Sequence, residues 1–418
     1  MCGSVLAVCR APCALGRVPW AVCRVPWAVL YDDRMRLAVR LGLVLWCLPL
    51  LAAIVLAMGA ADDRLLVLVG TYTGPKSDGI YAFRFDPRTG ALAPAGLAAR
   101  TESPSFLVEH PNRRWVFAVN ETETLAGQRT GGVSGFTLDA AAGRLAPINQ
   151  QPSEGAAPCH LTIDATGHFV LVANYTGGNL AVLPIDAKGT LGHAVTIVQH
   201  VGSGADKQRQ EGPHAHAVVL SADNRYLLAA DLGLDRVLAY RFASDRGDLT
   251  RLEDGGAVLA PGAGPRHIAL DAAGRHLYAI NELNSTITMF DWNADTAAAT
   301  SRQTLSTLPD DAKGENSTAE IEIHPSGRFL YGSNRGHDSI AVFAIDASTG
   351  RLTRTAVVPT RGKEPRHFSL DPSGRWLIAA NQTTDTLAVF RVDQQTGGLE
   401  PVGELVHAGT PVCVLFVR

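Results

Sequence analysis

The chain has 418 residues, of which 46% are hydrophobic and only 18% charged, with a formal net charge of −3. Ample apolar material and almost no charge excess exclude a disordered chain, and the lack of a basic run or positive balance excludes a nucleic-acid surface. The 41 Gly and 23 Pro favour many short elements joined by turns over a few long helices.

The first sixty residues differ from the rest. Five of the seven cysteines (Cys2, Cys9, Cys13, Cys23, Cys47) fall here, and Arg-Val-Pro-Trp-Ala-Val occurs at 17–22 and again at 24–29. No alternation, helical period or capping signal is legible in 1–34, which reads as an unstructured extension or a mis-assigned start. At Met35 a secretory pattern begins: Arg36 and Arg40, an apolar run over 41–59, and small residues Ala57 and Gly59 before Asp62. Residues 35–61 therefore read as a signal peptide cleaved near Ala60 or Ala61. The alternatives are an uncleaved membrane anchor, since the run is nearly long enough to span a bilayer, and no export at all. Cys47 lacks the preceding residues of a lipoprotein site. Removing the six arginines and two aspartates of 1–61 from the 37 basic and 40 acidic residues leaves 31 and 38. The body, 62–418, is mildly acidic.

That body is one unit repeated seven times. Pro-Arg-His-Ile-Ala-Leu-Asp-Ala-Ala-Gly-Arg-His-Leu-Tyr-Ala-Ile-Asn (265–281) recurs as Pro-Arg-His-Phe-Ser-Leu-Asp-Pro-Ser-Gly-Arg-Trp-Leu-Ile-Ala-Ala-Asn (365–381). Further copies begin at Pro104, Pro158, Pro213, Thr318 and Pro411, at spacings of 54, 55, 52, 53, 47 and 46 residues. A period of that length without a helical segment predicts four short strands per unit, an all-β, seven-bladed β-propeller. In each unit the first strand follows the anchor Pro, as at 267–270. A turn such as Asp-Pro-Ser-Gly (371–374) leads to a second, aliphatic strand ending in Asn, as at 170–174, 329–334 and 376–381. The third strand reads Thr-Leu-Ala-Val-Phe-Arg-Val (386–392) or Ser-Ile-Ala-Val-Phe-Ala-Ile (339–345), and a Gly turn precedes the fourth. After Pro411 only one strand, 412–417, remains before the chain stops. The segments 65–71, 79–85 and 92–98 supply the other three, so N- and C-terminal strands close the ring and remove its exposed edges.

Positions that break the repeat are the candidates for chemistry. The start of the first strand and the end of the second share one mouth of the central channel. The ring after the anchor reads Ser105, Cys159, His214 or His216, Arg266, Ala319, Arg366, Val412. The ring after the strand-two Asn reads Glu121, Tyr175, Leu232, Glu282, Arg335, Gln382, with Thr71 and Tyr72 in the split blade. Consecutive blades bring His214 or His216, Arg266, Glu282 and Arg335 together. Arginine forks suit a carboxylate, a phosphate or a developing oxyanion; a carboxylate or a His beside them suits proton transfer. Glu320 and Glu322 share one side of an innermost strand and read equally as structural or functional. His110 and His324 replace Asp in the tight turn and read as surface turn residues, and His337 as a loop residue. Cys159 and Cys413 lie too far apart in the ring for a disulfide. No zinc-ligand spacing, phosphate-binding or dinucleotide glycine pattern, or Gly-x-Ser-x-Gly elbow occurs.

These residues resemble the seven-bladed lactonase family, which includes propeller-type 6-phosphogluconolactonases and the fungal carboxy-muconate cyclising enzyme. The resemblance is carried by Gly-Ser-Gly-Ala-Asp-Lys-Gln-Arg-Gln-Glu-Gly-Pro-His-Ala-His (202–216), Gly-Pro-Arg-His (264–267), Asn-Glu (281–282), the stretch 319–340 and Pro-Arg-His-Phe (365–368), in the right blades and order. It implies lactone opening or closing without metal or cofactor, with His216 (or His214), Arg266, Glu282 and Arg335 as the catalytic set. His214, Arg366, Gln382, Glu320 and Arg209 are the expected substrate-binding residues. The expected function is an exported lactonase acting on a sugar lactone, with a small lactone or sugar acid as its only partner. Nucleic acid is no partner, and a membrane is one only through an uncleaved N-terminal segment. A muconate-type cycloisomerase and a non-catalytic ligand- or protein-binding propeller are the alternatives.

Overall fold

The computed structural model describes residues 64–418, so the expectations for 1–34 and 35–61 lie outside the described residues. The regular elements of the described residues are strands, apart from one three-residue 3-10 turn, Leu232–Leu234. Its strands form seven antiparallel sheets. Their innermost strands are Leu107–Glu109 (blade one), Pro158–Ile163 (two), Ala215–Leu220 (three), Pro265–Leu270 (four), Ser317–Ile323 (five), Pro365–Leu370 (six) and Pro411–Phe416 (seven). Each neighbours the next around the ring. In blade seven Pro411–Phe416 pairs with Leu65–Thr71, which leads outward to Gly79–Phe85 and Leu92–Arg100, as the sequence predicts. Blade three departs from the four-strand plan. Its outer strand is split, Asp248–Arg251 and Ala257–Val258 both pairing with Arg236–Ala243.

Each repeated residue has a structural task. The turn aspartates fold the chain back: Asp271 Oδ1 accepts the N–H groups of Arg275 and His276, and Asp164 Oδ1 those of His168 and Phe169. Gly274 and Gly167 close those turns at φ of 62° and 75°, where a side chain is strained. The buried strand-two asparagines reach the chain arriving from the preceding blade. Asn120, Asn174, Asn334 and Asn381 each donate Nδ2–H to a carbonyl there, of Glu102, Ser153, Thr307 and Thr360.

Seven apolar clusters fill the seven blade–blade interfaces, one each. Hydrogen bonds run over them in one sense. Tyr226, Tyr278 and Tyr331 donate their hydroxyls to Asp295, Gly350 and Gly397 of the following blade, and Trp376 donates Nε1–H to Pro87 O across the closure. The closing interface is therefore built like the others. His110 and His324 belong to this stitching, which corrects their reading as surface residues. Both are buried, and each donates Nε2–H to a carbonyl in the next blade's turn, Gly167 and Gly374, at 2.8 and 2.7 Å.

Candidate active site

The mouth residues owe their placement to a bulge that alternation does not reveal. Pro265 pairs with Asn281 and His267 with Ile280, leaving Arg266 as an extra residue without a partner. The same shift isolates Cys159, His216 and Arg366 in their blades. A bulge re-aims the side chain it adds. Arg266 is turned toward Glu282, which follows the paired Asn281.

Glu282 is the hub. Its carboxylate is 6% exposed and receives three arginines from three parts of the chain. Arg209 Nη2 donates to Oε1 at 2.6 Å, Arg335 Nη2 lies 2.9 Å from Oε2, and Arg266 Nε lies 3.2 Å from Oε2. Burial pushes the carboxyl's pKa up, but the charges of Arg335 and Arg266 and the bond from Arg209 outweigh it and hold it at about 2. Burial and the neighbouring charges of Arg335 and Arg366 bring Arg266 down to about 10. Both guanidiniums are anchored from behind: Arg266 Nη1 donates to Ala319 O and Arg335 Nη2 to Thr318 O. Among the described residues the buried Nε–H groups of Arg335 and Arg266 and the Ser105 hydroxyl at this mouth have no hydrogen-bond partner, Arg266 Nε meeting Glu282 as an ion pair only.

A second carboxylate stands across the mouth. Glu121 accepts the Tyr72 hydroxyl at 2.8 Å and lies 4.0 Å from Arg366 Nη2, whose guanidinium covers the Tyr72 ring. Tyr175 links the two histidine positions to the hub. Its ring stacks on His214 at 4.6 Å and its hydroxyl accepts from Arg209. Tyr72, Glu121 and Tyr175 were visible as ring members, but nothing in their spacing assigned them a role.

The remaining predicted residues separate by depth. Arg209 arrives on the 202–214 segment, held by the buried Gln210, which donates to Leu232 O and Asp235 Oδ1. His214 lies at the mouth, its side chain 12% exposed. Its Nδ1–H donates to Tyr175 O at 3.1 Å, and its Nε2 lies 3.3 Å from the exposed carboxylate of Glu211. His216, at the bulge position that Arg266 holds in the next blade, is buried against Cys159 Sγ at 3.6 Å, and burial with the Arg266 charge holds its pKa well below 6.5. Gln382 sits half-buried at the rim, its N–H on Glu364 O. Glu320 does not reach the mouth, contrary to its expected substrate-binding place. It lies one layer deeper, between His267 and His367 at 3.1 and 3.2 Å. Cys159 and Cys413 are both buried and free.

The sequence profile of the family described as "Lactonase, 7-bladed beta-propeller" matches residues 66–416. The chain belongs to the seven-bladed β-propeller lactonase family. It is 36% identical over 303 residues to a 6-phosphogluconolactonase of Bacillus subtilis, covering 72% of this chain and 84% of that one. It is 33% identical over 310 residues to a 6-phosphogluconolactonase of Formosa agariphila, covering 73% and 86%. Among solved structures, the periplasmic gluconolactonase of Pseudomonas aeruginosa superposes with a TM-score of 0.79 at 33% identity, over 85% of this chain and 99% of that one.

Proposed function

We propose that this propeller lactonase hydrolyses a sugar lactone to the sugar acid, and that it works outside the cytoplasm. The observation that carries the reading is the pair of buried guanidiniums, Arg266 and Arg335, fixed beside one carboxylate, with the Arg335 Nε–H unspent. A buried donor without a partner costs about 1–3 kcal/mol, and an anionic oxygen in the mouth would satisfy it. The family membership and the names of the two bacterial relatives support a lactone as the source of that oxygen.

In this reaction a water oxygen attacks the lactone carbonyl carbon, and the carbonyl's electron pair moves onto its oxygen. Guanidiniums that need no reorganisation stabilise that oxyanion. Collapse of the intermediate breaks the bond to the ring oxygen, which leaves with a proton. Glu282, held at about 2, stays ionised throughout the neutral range and is too weak a base to take the proton from water. Its part is to hold three arginine forks in register. His214, with Nδ1–H on Tyr175 O and Nε2 3.3 Å from the exposed Glu211 carboxylate, forms with Glu211 the proton-transfer pair of the mouth: the pair takes the water's proton and gives one to the ring oxygen. The acid formed then ionises to solvent. Beside Arg335 lies an open depression of about 730 Å3 lined by Arg209, Lys363, Glu315 and Glu364 among others, a mixed-charge surface suited to a hydroxylated tail.

The test is acid release by the purified protein from plain and 6-phosphorylated gluconolactone. Rates of both at the spontaneous level would remove the proposal. Export is supported by the leader-like 35–61 segment and by the periplasmic relative. N-terminal sequencing of the exported protein should start near Asp62; a product retaining 36–50 would leave only the anchored form.

A further inference from the structure

Below the arginine layer the channel holds a row of buried side chains whose hydrogen bonds leave one proton arrangement. The N–H of Val414, in the ring-closing strand Pro411–Phe416, points at His367 Nδ1 at 3.3 Å. A ring nitrogen that accepts carries no proton, so His367 is the Nε2–H tautomer. That Nε2 lies 3.2 Å from Glu320 Oε2. From the other side, Arg266 Nη1 lies 3.3 Å from His267 Nε2. An arginine only donates, so the His267 proton is on Nδ1, 3.1 Å from Glu320. Glu320 Oε1 also accepts the N–H of Ile321 at 3.0 Å.

Three N–H groups thus converge on Glu320. Burial pushes its pKa up, yet a carboxyl proton there would face donors with nothing to accept it, so the geometry requires the carboxylate. Burial holds His367 at about 4 and His267 well below 6.5, in keeping with two neutral rings. The rings of Phe106 and His160 pack against these histidines, with centroids 5.1 to 5.9 Å away, and limit their freedom to turn. The far end of this row is Arg266, already bound to Ala319 O through the same Nη1.

We propose that Glu320 is a positioning residue: acting through the fixed tautomer of His267, it sets the orientation in which Arg266 meets Glu282 and the substrate, and the closing strand sets Glu320 through His367. The kinetic part of this inference rests on the lactone-opening reading; the proton arrangement and the immobility of Arg266 do not. In the purified protein labelled with 15N-histidine and 15N-arginine, His267 should appear as the Nδ1–H tautomer and His367 as Nε2–H. The Arg266 guanidinium should rotate slowly enough to give resolved N–H signals. Glu320→Gln, which keeps one acceptor oxygen but turns an amide N–H against the ring N–H groups, should mobilise Arg266 and lower kcat by about 10- to 100-fold, the scale of a misplaced catalytic group, with KM changed by less than about threefold.

His267→Gln keeps a polar group beside Arg266 but severs it from Glu320, and should lose a similar factor. The double variant should lose no more than either single one, because both act through one contact. Wild-type His267 as Nε2–H or imidazolium would overturn the proposal, and so would losses that multiply in the double variant. If Glu320→Gln does not fold, the wild-type tautomers and His267→Gln decide. If no lactone is opened at all, the Arg266 signals decide: mobilised in the variants, the positioning role stands; unchanged, it falls.

Discussion

Replacing Glu282 with glutamine removes one negative charge from among three guanidiniums while keeping the side chain's size. An unperturbed glutamate titrates near 4.5, and Glu282 is held at about 2, which corresponds to about 3 kcal/mol favouring the ionised form in the folded state. The substituted amide cannot recover this, since its N–H groups would face other donors, and breaking a buried pair costs about 3–5 kcal/mol. At about 2.1 cal/mol/K of unfolding entropy per residue, a propeller of this length should lose roughly 4 °C or more in Tm. The pH dependence gives the sign. A carboxyl whose pKa is depressed on folding contributes its stability above the unfolded value near 4.5 and loses it as the pH falls toward about 2. The Tm gap between wild type and Glu282→Gln should therefore be constant from pH 6 to 8 and close below pH 4.5. Activity should fall further than stability. With the forks no longer in register, kcat should drop by about 10²–10³-fold, the cost of losing one oxyanion donor. Thermal melts across pH and acid release at pH 7 measure both. A variant that melts with wild type at pH 7 and turns over at its rate would refute the hub role.

Arg335→Lys should lower kcat by about tenfold or more in the same assay, because a single ammonium cannot hold Thr318 O and Glu282 and still present a free Nε–H. Deleting 411–418 should abolish soluble, cooperatively melting protein, because Leu65–Thr71 would lose its inner neighbour and two interfaces their apolar filling; an unchanged melt contradicts closure by this strand. Glu322, at the opposite mouth, is pushed up to about 8 by burial and then by the charge of Glu320, while its Oε2 accepts the Leu370 N–H. A carboxyl that stays protonated only when folded costs stability as the pH rises from about 4.5 to about 8. Glu322→Gln should match wild type in Tm near pH 4.5 and exceed it by a few degrees at pH 8; a gap that does not vary with pH would show that Glu322 is not held neutral.

The sequence by itself determined the number of blades, their phase and their closure. The anchor proline, the Asp-to-Gly turn and the terminal Asn recur because every blade needs the same fold-back and the same stitch to its neighbour. It also determined which residues share one mouth, since register after a repeated landmark fixes the order around the ring: Arg266, Glu282 and Arg335 meet as their spacing requires. Height along the channel was decided only by the tertiary structure. A one-residue bulge is invisible to a period of two, yet it turns Arg266 up to Glu282 while His267 and Glu320 stay in the layer beneath. The two histidines of 214–216 were not separable by spacing either: His216 holds the bulge position and is buried, while His214 keeps some exposure. His110 and His324 are buried for a related reason: what covers a turn is the neighbouring blade, which is a whole repeat away in sequence. Arg209 shows the same limit, reaching Glu282 from a segment with no regular structure, across 73 residues of chain that only the closed ring brings together.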